Sequence, residues 1–319
     1  MIFKDESEIK ERVEELTGRV MPGPLEIMED TTQYMSIHGG MIVRLGGNDY
    51  LITGDATEGR FGIEDQPKFW VKYAVDLETG ARKIIKLVFY EYFTSRVGPF
   101  LIKGSRNPQK EADVLDVVRG HPNFMQGRLV HDAVGNVVRV IDFVRGSNFY
   151  HYINDLDMDH ETYFFNVLPA IMKNLIEAFE AIDFLARTGQ HHGDIRTDHI
   201  IIEAQTGKYV WIDFDFEVSH ADFDLWSLGS VLVVAVGKGR QNYQDVMQYP
   251  EFYPAVKDKL VLYPADFMLF HKNMIADLRK LFPYMPEKLN QILISFSEGS
   301  TFFYENIESL IEDIREVFP

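Results

Sequence analysis

The hydrophobic rhythm of this chain changes near Gly146, and that change limits what it can fold into. Over residues 24–91 the segments YMSIHGGMIVRL, NDYLIT, KFWVKYAVDL and ARKIIKLVFY place β-branched and aromatic residues between Gly or Asp clusters, the pattern of strands joined by turns. Glu78-Thr79-Gly80 reads as a hairpin turn. A helix is expected from near Pro108, then two strands joined across residues 132–136. Downstream, residues 162–187 repeat at helical spacing, two short apolar strands follow (HIIIEA and KYVWIDF), and mostly helix is expected to the end. The opening segment predicts a short amphipathic helix, with Asp5 and Glu8 as start signals, Ile9, Val13 and Leu16 on one face and Gly18 at its end. Together these patterns predict an α+β protein of two lobes, strand-rich and then helix-rich, with the boundary in residues 144–147. Residues 1–48 are expected to form an extension of helix plus extra strands that covers a ligand site or binds a partner; 49–144 form the first lobe and 145–319 the second.

Charge and composition narrow the function classes. Against 32 Lys plus Arg stand 49 Asp plus Glu, a net of −17 over 319 residues. Phosphate-backbone affinity needs clustered cations, so a general nucleic-acid binder is excluded, while a nucleotide needs only one or two. The chain has no cysteine, which removes disulfides and thiolate nucleophiles. Its greasiest stretch, residues 225–236, contains Ser227, Gly229 and Ser230 and falls short of the roughly 20 residues that cross a bilayer. The charged first residues show no signal peptide, so a cytoplasmic protein without a membrane partner is expected.

The segment QHHGDIRTDHIIIEAQTGKYVWIDFDF, residues 190–216, holds the chemistry. Asp194 stands in a polar loop after a long helix; Asp213, 19 residues on, ends an apolar strand. Two carboxylates at the mouths of neighbouring elements can divide labour, one accepting a hydroxyl proton and the other holding Mg²⁺. The plainer alternative is a turn residue and a strand-end residue at the surface.

His192-Gly193-Asp194 with His199, followed by Ile212-Asp213-Phe214-Asp215, resembles the catalytic loop and metal-binding motif of the protein-kinase-like phosphotransferases. Asp224-Leu225-Trp226-Ser227-Leu228-Gly229 resembles the start of the buried helix that anchors a kinase C-lobe. The hairpin leading to Lys86, then Glu111, then residues 140–146, resembles in order the strand with the ATP lysine, the helix glutamate that pairs with it, and the hinge. The motifs cover roughly residues 50–319. The resemblance implies a bilobal kinase-like fold in which Asp194 accepts the substrate proton. Arg196 would lie near the transferred phosphate, Asp213 would chelate Mg²⁺, and Lys86, fixed by Glu111, would hold the ATP phosphates. Backbone groups of Asp142 and Val144 would read the adenine, and Gly59 and Gly62 would cradle phosphate. The implied partners are ATP and an unidentified hydroxyl acceptor, small molecule or protein.

The sequence also departs from the family. Thr57 stands where the first glycine of the phosphate loop belongs, Gly193 where many protein kinases have an arginine, and Asp215 where a glycine is usual. His199 occupies the place of an asparagine that binds a second metal ion; imidazole suits Mn²⁺ better than Mg²⁺, and hydrogen bonding within the loop is an equal alternative. Only 11 residues lead from Asp213 to Asp224, too few for a peptide-docking segment. The second reading is therefore a pseudokinase, a nucleotide-binding or protein-interaction module without turnover. The aromatic stretch of residues 243–270 reads as core or as the lining of a substrate pocket.

Overall fold

The computed structural model describes every residue except 1, 2, 4, 61, 62, 98, 99, 221, 250–252 and 254–258. Helix α1 (Glu6–Thr17) starts at Asp5, whose carboxylate accepts the N–H groups of Ser7 and Glu8, and stops at Gly18 in the left-handed conformation. Its apolar stripe, Ile9 and Val13, is buried against Ile42, Leu51 and Leu77. Strands β1 (Ile27–Met28), β2 (Ile42–Leu45), β3 (Asn48–Arg60), β4 (Ile63–Asp76) and β5 (Arg82–Lys86) follow. The β4–β5 turn is set by Asp76, whose Oδ1 accepts the Glu78 N–H at 2.9 Å, and by Gly80 at φ 75°. Next come β6 (Glu91–Val97), β7 (Phe100–Arg106), α2 (Pro108–Val117), β8 (Gly127–His131) and β9 (Val137–Asp142). Asn107 caps α2, and Pro108 fills a first-turn position that needs no N–H.

Among the described residues seven of these strands, all but β6 and β7, form a sheet in the order β1-β2-β3-β4-β5-β9-β8, antiparallel but for the β1–β2 pair. Alternate residues, including Val43, Ile52, Ala74, Ile85 and Val140, pack one face into a core with Ile37. This sheet belongs to the first of two compact units, Met1–Glu91 with Arg106–Gly120 and Met125–Val144. The first 48 residues are part of that unit. Buried Lys72 on β4 donates to the Ile37 carbonyl and to Asp55, both at 2.6 Å.

The second unit comprises Tyr92–Ser105, His121–Phe124 and Arg145–Pro319. Strand β10 (Gly146–Asn148) pairs with β11 (Ile200–Glu203), which pairs with β12 (Tyr209–Trp211). Helices α3 (Phe149–Asn154), α4 (His160–Asn166) and α5 (Leu168–Arg187) lie between β10 and β11 in sequence. The single helix expected over 162–187 is two helices, because Pro169 has no N–H to continue the ladder. Strand β13 (Phe216–Val218) joins β7 and β6 in a three-stranded sheet of order β13-β7-β6, an element the sequence reading did not contain. Helix α6 (Phe223–Val236) is buried along almost its whole length, and α7 (Tyr243–Gln248), α8 (Glu287–Ile294) and α9 (Ile307–Val317) complete the chain. Residues 259–286 are mostly turns and short 3₁₀ segments rather than the expected helix. Among the described residues no helix is long and apolar enough to cross a membrane.

Asp132, in the β8–β9 turn, ties Thr31 to this sheet. Burial alone would raise its carboxyl, but bonds from the Thr31 N–H and hydroxyl and from Asn136 override that and pull it down to about 2. A carboxyl depressed in the fold adds stability above its unfolded value near 3.8 and loses it as pH falls toward 2. Urea unfolding should find Asp132→Ala about 2 kcal/mol less stable than wild type at pH 7, with the gap closing between pH 5 and 2. A gap independent of pH would contradict this account.

Candidate functional site

In the first unit, β5 and β9 place Lys86 directly opposite Arg139, and both reach Glu111 on α2. Lys86 Nζ lies 2.6 Å from Glu111 Oε1, and Arg139 Nε lies 3.1 Å from Oε2. Arg139 also donates to the carbonyls of Leu87 and Val137. Arg139 and the Glu111 carboxylate are fully buried, and Lys86 nearly so. Together they form a buried ion cluster in which one carboxylate serves two cations. Sequence reasoning found Lys86 and Glu111 and missed Arg139. The available signal was a charged residue on the inward side of the alternating strand VVRVID.

In the second unit, the loop carrying Asp194 is held from α6. The Asp224 carboxylate, at the helix's first turn, accepts the N–H of His192 at 2.6 Å and of Gly193 at 2.8 Å. Gly193 adopts φ 84°, and a Cβ there would lie 2.0 Å from the Phe216 carbonyl oxygen. Any side chain would collide with backbone, which explains glycine at this position. His192 is buried between Trp211 and Phe214 and braces the loop. Trp211 in turn donates its indole N–H to the Ala178 carbonyl on α5.

His199 stands between Asp194, the expected base, and Asp213, the expected metal ligand. Its Nδ1 is 2.8 Å from the Asp194 carbonyl oxygen and 3.6 Å from Asp194 Oδ2, and its Nε2 is 3.8 Å from Asp213 Oδ2. The carbonyl contact puts the proton of a neutral ring on Nδ1 and leaves the Nε2 lone pair on the Asp213 side, the tautomer that a metal-ligating histidine takes. Asp213 has φ 61°, a left-handed conformation that costs a non-glycine residue on the order of 1–2 kcal/mol. Strain of that kind collects at functional sites. Among the described residues no three His, Asp or Glu side chains converge as a closed metal cage. Asp213 and His199 offer two donors, an open set that suits a metal completed by phosphate oxygens and water. Burial raises the Asp194 carboxyl, a shift that neighbouring Asp213 and buried Asp215 reinforce and that His199 and Arg196 oppose.

Arg196 lies beside Asp194 in the second unit, and the remaining described candidates belong to the first. The Arg196 guanidinium forks onto Asp198, at 2.6 and 3.1 Å. Asp142 ends β9, donates its N–H to the Gln126 carbonyl and pairs its carboxylate with Lys83. Val144 is the last residue of the first unit. Gly59 lies in β3 at a register shift between Glu58 and Arg60, while Gly62 and Phe61 lie outside the described residues. Sequence reasoning also missed the β6–β7 hairpin, although Gly98-Pro99 between apolar runs is a turn signal. Phe93 and Ile102 of that hairpin line a cavity together with Asp194.

No model of a known protein family matches this sequence, and none of the curated proteins is significantly similar to it.

An amide left unsatisfied in a buried site costs about 1–3 kcal/mol. Asp224→Ala strands two, so urea unfolding should show a loss of about 2–5 kcal/mol, and Asp224→Asn, which keeps one acceptor, should lose less. Equal stability of Asp224→Ala and wild type would show that the loop is held by something else.

Proposed function

We propose that this chain is an ATP- and divalent-metal-dependent phosphotransferase of protein-kinase-like fold, transferring the γ-phosphate to a hydroxyl acceptor. The observation that carries the proposal is one imidazole, His199, with Asp194 at one ring nitrogen and Asp213 at the other, on a loop tied to α6 by Asp224. A carboxylate fixed by its backbone can accept a hydroxyl proton, and the burial that raises the Asp194 carboxyl makes it a stronger base.

On this reading Lys86 binds the α- and β-phosphates, held in place by Glu111 with Arg139 behind it. Backbone groups of Asp142 and Val144 take the adenine edge, and Arg196 stands by the transferred group. Asp213 and His199 Nε2 would hold the divalent cation. When bound, Mg²⁺ or Mn²⁺ neutralises phosphate charge, and an imidazole donor favours Mn²⁺. Phosphoryl transfer asks little more of a protein than positioning and charge. One observation favours a second reading, a nucleotide-binding module without turnover: a ring nitrogen rather than an amide oxygen faces Asp213.

Asp194→Asn should lower phosphotransfer from ATP by roughly 10²- to 10³-fold while leaving ATP affinity unchanged. Asp213→Asn should instead weaken metal-dependent ATP binding. Wild-type turnover in Asp194→Asn would remove it as the base. The sign on stability is opposite. A carboxyl raised in the fold contributes stability only at low pH and loses it as pH rises through the folded value. Asp194→Asn should therefore melt above wild type at pH 7, with the difference shrinking below pH 4.

A further inference from the structure

One cavity of the second unit, of about 270 Å³, opens beside Asp194. We infer that it is the acceptor site of the phosphotransfer proposed above, and that it takes an uncharged alcohol whose hydroxyl is carried on an apolar, ring-sized body. The inference rests on that reading of Asp194 as the base.

Its walls come from the β13-β7-β6 sheet, helix α6, residues 193–196 of the Asp194 loop, and Phe270 with His271. Each strand of the β13-β7-β6 sheet contributes one apolar side chain: Phe216 from β13, Ile102 from β7 and Phe93 from β6. Helix α6 contributes Phe223, Ser227 and Ser230, spaced i, i+4 and i+7 on one face. Phe93 meets Phe216 edge to face at 5.2 Å, and its ring lies across Gly104, where a Cβ would be 2.2 Å from it. Glycine at 104 lets the ring lie there.

The polar groups on the walls decide the ligand class. Ser227 donates its hydroxyl to the Phe223 carbonyl and Ser230 to the Trp226 carbonyl, so both protons are used within the helix. Arg196 is forked onto Asp198. His271, whose imidazole burial pulls down to about 4, is an uncharged wall residue that can serve one ligand hydroxyl. Among the described lining residues Asp194 is the only carboxylate. A sugar would leave most of its hydroxyls against phenyl rings, and burying a polar group without a partner is costly. A polycation would find one carboxylate, already assigned to the proton. The volume lies below the roughly 300–1,000 Å³ of sites for larger ligands and suits a single ring. A peptide segment lacks a platform here, because residues 216–218 pair with β7.

In the reaction the acceptor oxygen forms a bond to the γ-phosphorus as the bond from that phosphorus to its bridging oxygen breaks. The hydroxyl proton passes to Asp194 and then to water, leaving a phosphate monoester and ADP.

The test uses the full chain with benzyl alcohol, 2-phenylethanol and phenol, set against glucose, choline and a serine peptide, with ATP plus Mn²⁺ or Mg²⁺. The expected result is that the phenyl alcohols raise the unfolding temperature without nucleotide and drive ATP consumption, with the phosphate recovered on the alcohol. Phe93→Ala should raise the acceptor KM about tenfold or more with a smaller change in kcat, since lost apolar contact is worth that factor. Gly104→Ala, which displaces the Phe93 ring, should do the same, so the test survives if one variant fails to fold. If ATP and metal stabilise the protein but only glucose, choline or the peptide is phosphorylated, the acceptor assignment is overturned and the phosphotransfer reading stands. If phenyl alcohols bind and ATP does not, the phosphotransfer reading fails and takes the acceptor role with it. An unchanged KM in both variants overturns the assignment.

Discussion

The second unit depends on one carboxylate. Asp224 sits at the first turn of α6, where a negative charge is favoured by the helix's positive end, and it accepts two backbone N–H groups from the loop before Asp194. A helix as apolar as α6 is committed to the interior, so whatever it grips is gripped at a fixed place. Gly193 then allows the Phe216 carbonyl to lie against the loop. That contact brings the residues after Asp215 into β13, and β13 draws in β7 and β6. The loop with the candidate base and the aromatic cavity beside it both rest on one anchored turn.

The first unit carries a different constraint. Burying an ion costs several kcal/mol, and mutual attraction offsets this only with good geometry. Lys72 with Asp55 is a neutral pair that fastens the chain at Ile37. Lys86, Glu111 and Arg139 form a buried ion cluster, and a group of that kind is weak evidence for stability.

Much of the fold was legible because strands and amphipathic helices announce themselves by period. The run YLIT, the turn at Gly80 and the apolar stripe of α1 are local signals, and each gave the right element. Pro169 also announces its break, although the apolar pattern runs through it. The β6–β7 hairpin was harder: its strands are partly exposed, and their partner, β13, lies more than 100 residues away in sequence. Residues 259–286 fall in the stretch expected to be mostly helix, whereas the structure holds them by turns such as the one Asp266 makes with the Tyr263 N–H. At the candidate site, Asp194 and Asp213 were legible from their places after a helix and a strand, and His199, Lys86 and Glu111 only through the motif resemblance. Arg139 and the cavity were not, since each needs two elements distant in sequence to meet.

The central claim is a metal-dependent nucleotide site, and thermal unfolding with ATP tests it most directly. Three samples suffice: ATP with Mn²⁺, ATP with Mg²⁺, and ATP with a chelator. Ligand at 100 times its Kd stabilises the folded chain by about 2.7 kcal/mol. The account predicts a raised midpoint with either metal, larger with Mn²⁺ because of His199, and none with chelator. The same midpoint in all three samples would contradict it.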